Sequence, residues 1–216
     1  MRLLIFGPPG CGKGTQSHNI AKTYKIVEIA TGDIFETEML RKTDLGRKIE
    51  NIMKKGFLVS DDITNALVEK RLSQPDCRRG FIIDGYPRNV NQALYLERIL
   101  DKLNEAIDAV IYLDILKDKL IERITNRRTC SNCQTTFNLL YNPPKNDNIC
   151  DECGGELYIS DLDKPEVTKT RLEIYATQTY PAFEYWRNKV TPIIVNADQK
   201  IGKVFEDIKQ ELKKIK

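Results

Sequence analysis

Five short apolar runs rich in β-branched residues recur along the chain: Leu3–Phe6, Ile26–Ala30, Phe81–Asp84, Ala109–Ile115 and Pro192–Ala197. Segments with helical periodicity separate them. Strand and helix alternating in this way predict a parallel sheet with helices on both faces, an α/β fold. The last helix is the most regular, with Ile201, Val204, Phe205, Ile208, Leu212 and Ile215 on one stripe. Its closing Lys213, Lys214 and Lys216 suit a helix C-terminus. Two stretches break the alternation. A long helical insertion runs from Thr31 to about Ser73. Between Arg127 and Asp163 the composition changes to cysteines, Asn142-Pro143-Pro144, Gly154-Gly155 and strand-like pieces such as Thr135–Leu140. This second stretch has too few apolar residues for a core of its own, so a small unit there needs a staple.

The first strand runs directly into Gly7-Pro8-Pro9-Gly10-Cys11-Gly12-Lys13-Gly14-Thr15, and a helix-forming segment, Gln16 to Tyr24, follows. Strand, glycine-rich turn and helix N-terminus together build an anion cradle. Glycines let backbone N–H groups approach phosphate oxygens, and the helix end adds partial positive charge. Lys13 supplies a full charge that reaches outer phosphates. The spacing is that of a phosphate-binding loop, with Gly14 placed between the lysine and the hydroxyl of Thr15.

Composition narrows the class of partner. The 216 residues are 41% hydrophobic and 30% charged, as in soluble globular proteins. A net charge of +3, with scattered basic residues, does not point to nucleic acid. No apolar run is long enough to span a membrane. The first residues enter a strand without the apolar core of a signal peptide, which predicts a cytoplasmic protein. Of the six cysteines, Cys130, Cys133, Cys150 and Cys153 form two Cys-x-x-Cys pairs sixteen residues apart. In a chain of this kind they read as metal ligands rather than disulfides, and four thiolates around one Zn²⁺ would be the staple. Cys11 and Cys77 read as plain thiols.

Further chemistry is expected where strands end. Asp84 closes the third strand, beside the phosphate loop, where a carboxylate can organise Mg²⁺ through its waters. Arg88 and Gln92 lie four apart, a spacing that puts them on one face of the following helix, for a phosphate and a base edge. Arg123 and Arg127 are also four apart, and like charges at that spacing suit a shared anion or a solvated basic face. The single histidine, His18, reads as an exposed helix residue.

These residues together resemble the adenylate kinase family. The motifs are Gly7–Thr15, Thr31-Gly32-Asp33, Asp84-Gly85-Tyr86-Pro87-Arg88 with Gln92, and Arg123 with Arg127. The four-cysteine stretch is similar to the long zinc-bearing lid of bacterial forms. The resemblance covers the chain from end to end. It implies a P-loop nucleoside monophosphate kinase fold: a five-stranded parallel sheet flanked by helices, with two mobile insertions. Residues 1–29, 60–125 and 164–216 would form the core, 30–59 the AMP-binding insertion and 126–163 the lid. The implied reaction is MgATP + AMP ⇌ 2 ADP, by a monomer whose partners are these nucleotides, without nucleic acid or membrane.

Position by position, the resemblance places Gly10, Cys11, Gly12, Lys13, Gly14 and Thr15 on the ATP phosphates. Thr136, Phe137 and Gln199 would border the ATP adenine and ribose. Thr31, Phe57, Leu58, Val59, Gly85, Arg88, Gln92 and Arg171 would hold AMP. Lys13, Arg88, Arg123, Arg127 and Arg171 would surround the transferring phosphoryl group, with Asp84 and Asp33 around the Mg²⁺ waters. Two positions depart from the family pattern. Its Thr-Gly-Asp-x-x-Arg ends here in Glu36, and its Arg-x-Asp-Asp run reads Ser160-Asp161-Leu162-Asp163. A preorganised donor lost from such a site commonly costs about 3–4 kcal/mol, so a nucleotide-binding protein with impaired turnover is the rival reading. A zinc-ribbon module on nucleic acid is a second rival, opposed by the sparse basic residues of the cysteine stretch.

Overall fold

The computed structural model describes residues 1–215; Lys216 lies outside them. Strands β1 (Arg2–Phe6), β2 (Val27–Ala30), β3 (Phe81–Asp84) and β4 (Ala109–Asp114) alternate with helices α1 (Lys13–Tyr24), α2 (Thr31–Leu40), α3 (Asp44–Met53), α4 (Asp61–Leu72) and α5 (Val90–Leu103). Helix α6 (Lys117–Thr125) then leads into β5 (Arg127–Cys130), β6 (Thr136–Asn138) and β7 (Leu157–Tyr158). Helices α7 (Pro165–Ile174) and α8 (Tyr180–Arg187), joined by a π-helical stretch at Tyr175–Thr179, precede β8 (Thr191–Asn196) and α9 (Ile201–Leu212).

Strands β2, β3, β1, β4 and β8, in that order, form a five-stranded sheet. Every pairing in it is parallel. Successive side chains on a strand point to opposite faces, so both faces of β1 can be apolar only if both are covered. Leu4 and Phe6 pack with Ile29, Val68, Leu96, Phe183 and Trp186 under α4, α5 and α8. Leu3 and Ile5 pack with Ile20, Leu120, Val204, Ile208 and Leu212 under α1, α6 and α9. The sequence reading of five strands with helices on both faces therefore stands. Ile215 lies beyond the end of α9 but packs against the second cluster.

Two satellites extend from this core. Helices α2 and α3 gather Phe35, Ile49 and Val59 into a small cluster. The cysteine stretch forms a separate antiparallel sheet, ordered β6, β5, β7, over Cys130, Phe137, Cys150 and Leu157. Cys11 and Cys77 are buried free thiols, and His18 is exposed on α1. No helix among the described residues is long and apolar enough to cross a membrane.

Two sequence expectations need correction. Arg88 does not share a helix face with Gln92, because α5 begins at Val90 with Asn89 as its cap. Asn89 Oδ1 accepts the Gln92 N–H at 2.8 Å, which starts the helix after Arg88. Arg123 and Arg127 likewise share no face: α6 ends at Thr125, and Arg127 opens β5.

Candidate active site

The C-terminal ends of parallel strands are where open α/β sheets bind ligands, and the candidate residues gather there. After β1 the loop turns through Gly12, whose φ of 100° makes it the left-handed cap of α1. A β-carbon would strain that conformation. The turn leaves the first N–H groups of α1 without intrahelical partners, and they face the loop with the positive end of the helix. Lys13 Nζ donates to the Gly7 and Pro8 carbonyls at 2.6 and 3.1 Å, lying over the loop. Asp84 Oδ2 comes within 3.8 Å of the point where a β-carbon on Gly14 would stand. Cys11 is buried against Lys13, and burial pushes its thiol up, so it is a protonated, unreactive group.

On the other side of β3, a cleft of about 680 Å³, counting its part open to solvent, lies between α2, the end of α3 and α7. Thr31, Phe57, Leu58, Val59, Gly85, Arg88, Gln92 and Arg171 all line it. The eight residues expected at AMP thus border one cleft. Gly85, with φ of 82°, allows the close approach, since a β-carbon there would sit 2.4 Å from Thr31 Oγ1. Phe57 is 55% exposed beside it, a ring available for stacking. A second, smaller cavity adjoins: Lys13 and Gly7 line it together with Gly85 and Arg88.

The cations are held apart by different partners. Arg88 Nε donates to the Gly85 carbonyl at 2.8 Å, and burial pushes its guanidinium down while Asp84 opposes. Arg123 donates to the Cys11 carbonyl at 3.3 Å and the Ala197 carbonyl at 2.7 Å, and lies over the Tyr141 ring. Arg127 makes a two-pronged contact with Asp163, its Nε 2.8 Å from Oδ2. Arg171 Nη1 reaches the Leu162 carbonyl at 3.0 Å and lies 3.8 Å from Asp163. Burial, followed by repulsion from Arg127 and Arg88, pushes the Arg171 guanidinium down to about 10. The group stays charged at neutral pH, and an anion between these arginines would relieve the repulsion. Burial, with Glu28 and Asp84 nearby, pushes the Asp33 carboxyl up, the mark of an acidic cluster that a cation would settle.

The four cysteine sulfurs lie within 4.8 Å of one another. Cys130 and Cys153 sulfurs are 3.4 Å apart, and those of Cys133 and Cys150 3.5 Å. A tetrahedral ion with Zn–S bonds of about 2.3 Å sets its sulfurs about 3.8 Å apart, so the set fits such an ion. Hydrogen bonding with the Thr135 hydroxyl and N–H holds the Cys133 thiol down to about 6, favouring a thiolate that a metal ion could bind.

A family model described as adenylate kinase matches residues 5–191. An adenylate kinase of Thermoanaerobacter sp. (strain X514) is 46% identical over 212 residues, 98% of each chain. One of Archaeoglobus fulgidus is 44% identical over 216 residues, and one of Methanocella arvoryzae 42% over 215, in both cases the full length of each chain. The chain belongs to the adenylate kinase family. It is thus a nucleoside monophosphate kinase that transfers a phosphoryl group between ATP and AMP, and impaired turnover is not favoured.

Within this kinase, some residues named from sequence sit otherwise than their roles suggest. Phe137 is buried in the core of the small sheet, while Thr136 is exposed. Gln199 donates to the Asn196 carbonyl and to Asp207. Glu36 is half-buried and does not line the cleft; burial and Asp33 push its carboxyl up. Arg41 and Arg47 pair with Glu38 and Asp44 and are also absent from the cleft wall. Two residues at the site were given no role from sequence. Asp163, with a fully buried side chain, gathers Arg127 and Arg171. Asp61, at the start of α4, holds the side chain of Gln92 at 2.7 Å.

Proposed function

We propose that the chain interconverts MgATP + AMP and two ADP with Lys13, Arg88, Arg123, Arg127 and Arg171 around the transferring group. The loop of Gly10, Cys11, Gly12, Lys13, Gly14 and Thr15 would hold the ATP phosphates, and the cleft from Thr31 to Arg171 would hold AMP. One observation carries the reading. The two cavities share Gly85 and Arg88, so a phosphate at Lys13 and a phosphate in the cleft converge on one arginine. Phosphoryl transfer needs little covalent help: two phosphates in line, charge neutralised and water excluded. Asp84 and Asp33 would hold Mg²⁺ through its waters, where it supplies further neutralisation of phosphate charge. Arg123, bound to the loop carbonyl of Cys11, would brace the phosphate loop from the α6 side while facing the transferring group.

The four cysteines would hold structural Zn²⁺. Four thiolates saturate a tetrahedral ion and leave no position for substrate. The chain would divide into core (1–29, 60–125, 164–216), AMP insertion (30–59) and lid (126–163); the separate apolar cluster of the cysteine stretch supports the last of these. Closure of both insertions would exclude water during transfer. The enzyme would act as a cytoplasmic monomer on free nucleotides, without nucleic acid.

A coupled assay of ADP formation, with ATP and each of several nucleoside monophosphates, tests this function. Turnover greatest with AMP is expected. Absence of turnover with every monophosphate, in folded and metal-replete protein, would overturn it.

A further inference from the structure

We infer that Asp61 is a positioning residue that sets the donor–acceptor polarity of Gln92, and thereby selects 6-aminopurine over 6-oxopurine monophosphates; this rests on the AMP reading of the cleft. Gln92 borders the cleft, yet it is only 1% exposed and its amide is tied down at both ends. Its Nε2 donates to Asp61 Oδ1 at 2.7 Å, and its Oε1 accepts the Arg88 backbone N–H at 2.7 Å. Both partners are one-sided. A carboxylate only accepts, and a backbone N–H only donates. Turning the amide over would set oxygen against oxygen and N–H against N–H. The same Asp61 oxygen also accepts from Asn89 Nδ2 at 2.8 Å, and Asn89 caps the helix that carries Gln92. Asp61 is therefore fixed by the element it orients.

An amide has two N–H donors and two oxygen lone pairs. One of each is spent on Asp61 and Arg88, which leaves one acceptor and one donor in a fixed order. The six-position of an aminopurine donates and its ring N1 accepts, the complement of that order. In a 6-oxopurine both are reversed, so the same amide meets acceptor with acceptor and donor with donor. Thr31 works in the same sense. Its hydroxyl proton goes to the Gly85 carbonyl at 3.0 Å, so the oxygen offers the cleft only lone pairs. A buried polar site rejects an analogue whose groups it leaves unpaired.

The test compares AMP with IMP, which differ at these two positions alone. Steady-state kcat/KM for each is measured at saturating MgATP in the wild type, Asp61→Ala and Asp61→Asn. In Asp61→Ala the AMP-to-IMP preference should fall by roughly tenfold or more, the weight of one hydrogen bond to a charged group. It should not vanish, because the Arg88 N–H remains. Asp61→Asn keeps an oxygen that can accept from both Gln92 and Asn89, so the preference should be retained. If Asp61→Ala does not fold, Asp61→Ser, too short to reach Gln92, takes its place. Equal proportional losses for AMP and IMP would show a purely structural role and overturn the inference. So would a loss in Asp61→Asn matching that in Asp61→Ala, or a wild type that does not prefer AMP. A wild type that phosphorylates neither nucleotide refutes the proposed function itself.

Discussion

Replacing Asp163 by asparagine removes the one negative charge between two arginines. The carboxylate side chain has no exposure, whereas Arg127 and Arg171 retain 25% and 21%. It accepts two bonds from Arg127 and lies 3.8 Å from Arg171. Asparagine keeps the size, but its amide turns an N–H toward a guanidinium that can only donate. Breaking a buried ion pair from one side commonly costs about 3–5 kcal/mol, because a charge is left without compensation. Partial exposure of both arginines lets water recover some of this, so about 3 kcal/mol is the figure to expect. For a chain of this length each kcal/mol moves Tm by about 2–4 °C, which predicts a fall of about 6–12 °C. Thermal unfolding followed by circular dichroism reads it directly. Saturating MgADP should raise Tm more in Asp163→Asn than in the wild type, since its phosphates replace the lost counter-charge. A fall of less than about 2 °C, with no extra gain from nucleotide, would refute the reasoning. It would mean that both arginines turn to solvent and that the carboxylate contributes nothing net.

Lys13→Met should lower kcat by about a hundredfold or more with an unchanged far-UV spectrum, because in the proposed role the lysine charge would follow the phosphoryl group, while its present bonds are to the loop itself. Glu36→Arg should be nearly silent, changing the KM for AMP by less than about threefold and leaving the KM for ATP unchanged, since Glu36 does not line the cleft; a tenfold fall would place its carboxylate against the AMP phosphate. Arg41→Ala and Arg47→Ala should be silent in the same assay, since both side chains pair outside the cleft. Cys130→Ser with Cys133→Ser should abolish stoichiometric zinc by metal analysis and lower Tm, with the phosphate loop intact; wild-type protein purified reduced and metal-free would contradict the site.

The local pattern of the chain determined the parallel sheet, its glycine loop and its metal-ligand spacing. Each is written in contiguous residues: apolar runs at Leu3–Phe6 and Phe81–Asp84, the turn from Gly7 to Thr15, and paired cysteines. Tertiary structure decided which polar groups meet. Asp163 reaches Arg127 across 36 positions, and Asp61 reaches Gln92 across 31. Asp61 drew no role from sequence and Asp163 only closed the Ser160-Asp161-Leu162-Asp163 run, so nothing local marked the partner of either. The four-residue spacings of Arg88 to Gln92 and Arg123 to Arg127 misled because helix boundaries fall between them. Spacing predicts a shared face only within one helix, and the caps that end or start a helix depend on side-chain bonds such as that of Asn89. Phe137 was likewise placed by packing: the small sheet needs an apolar core, and its ring is one of the few available to fill it.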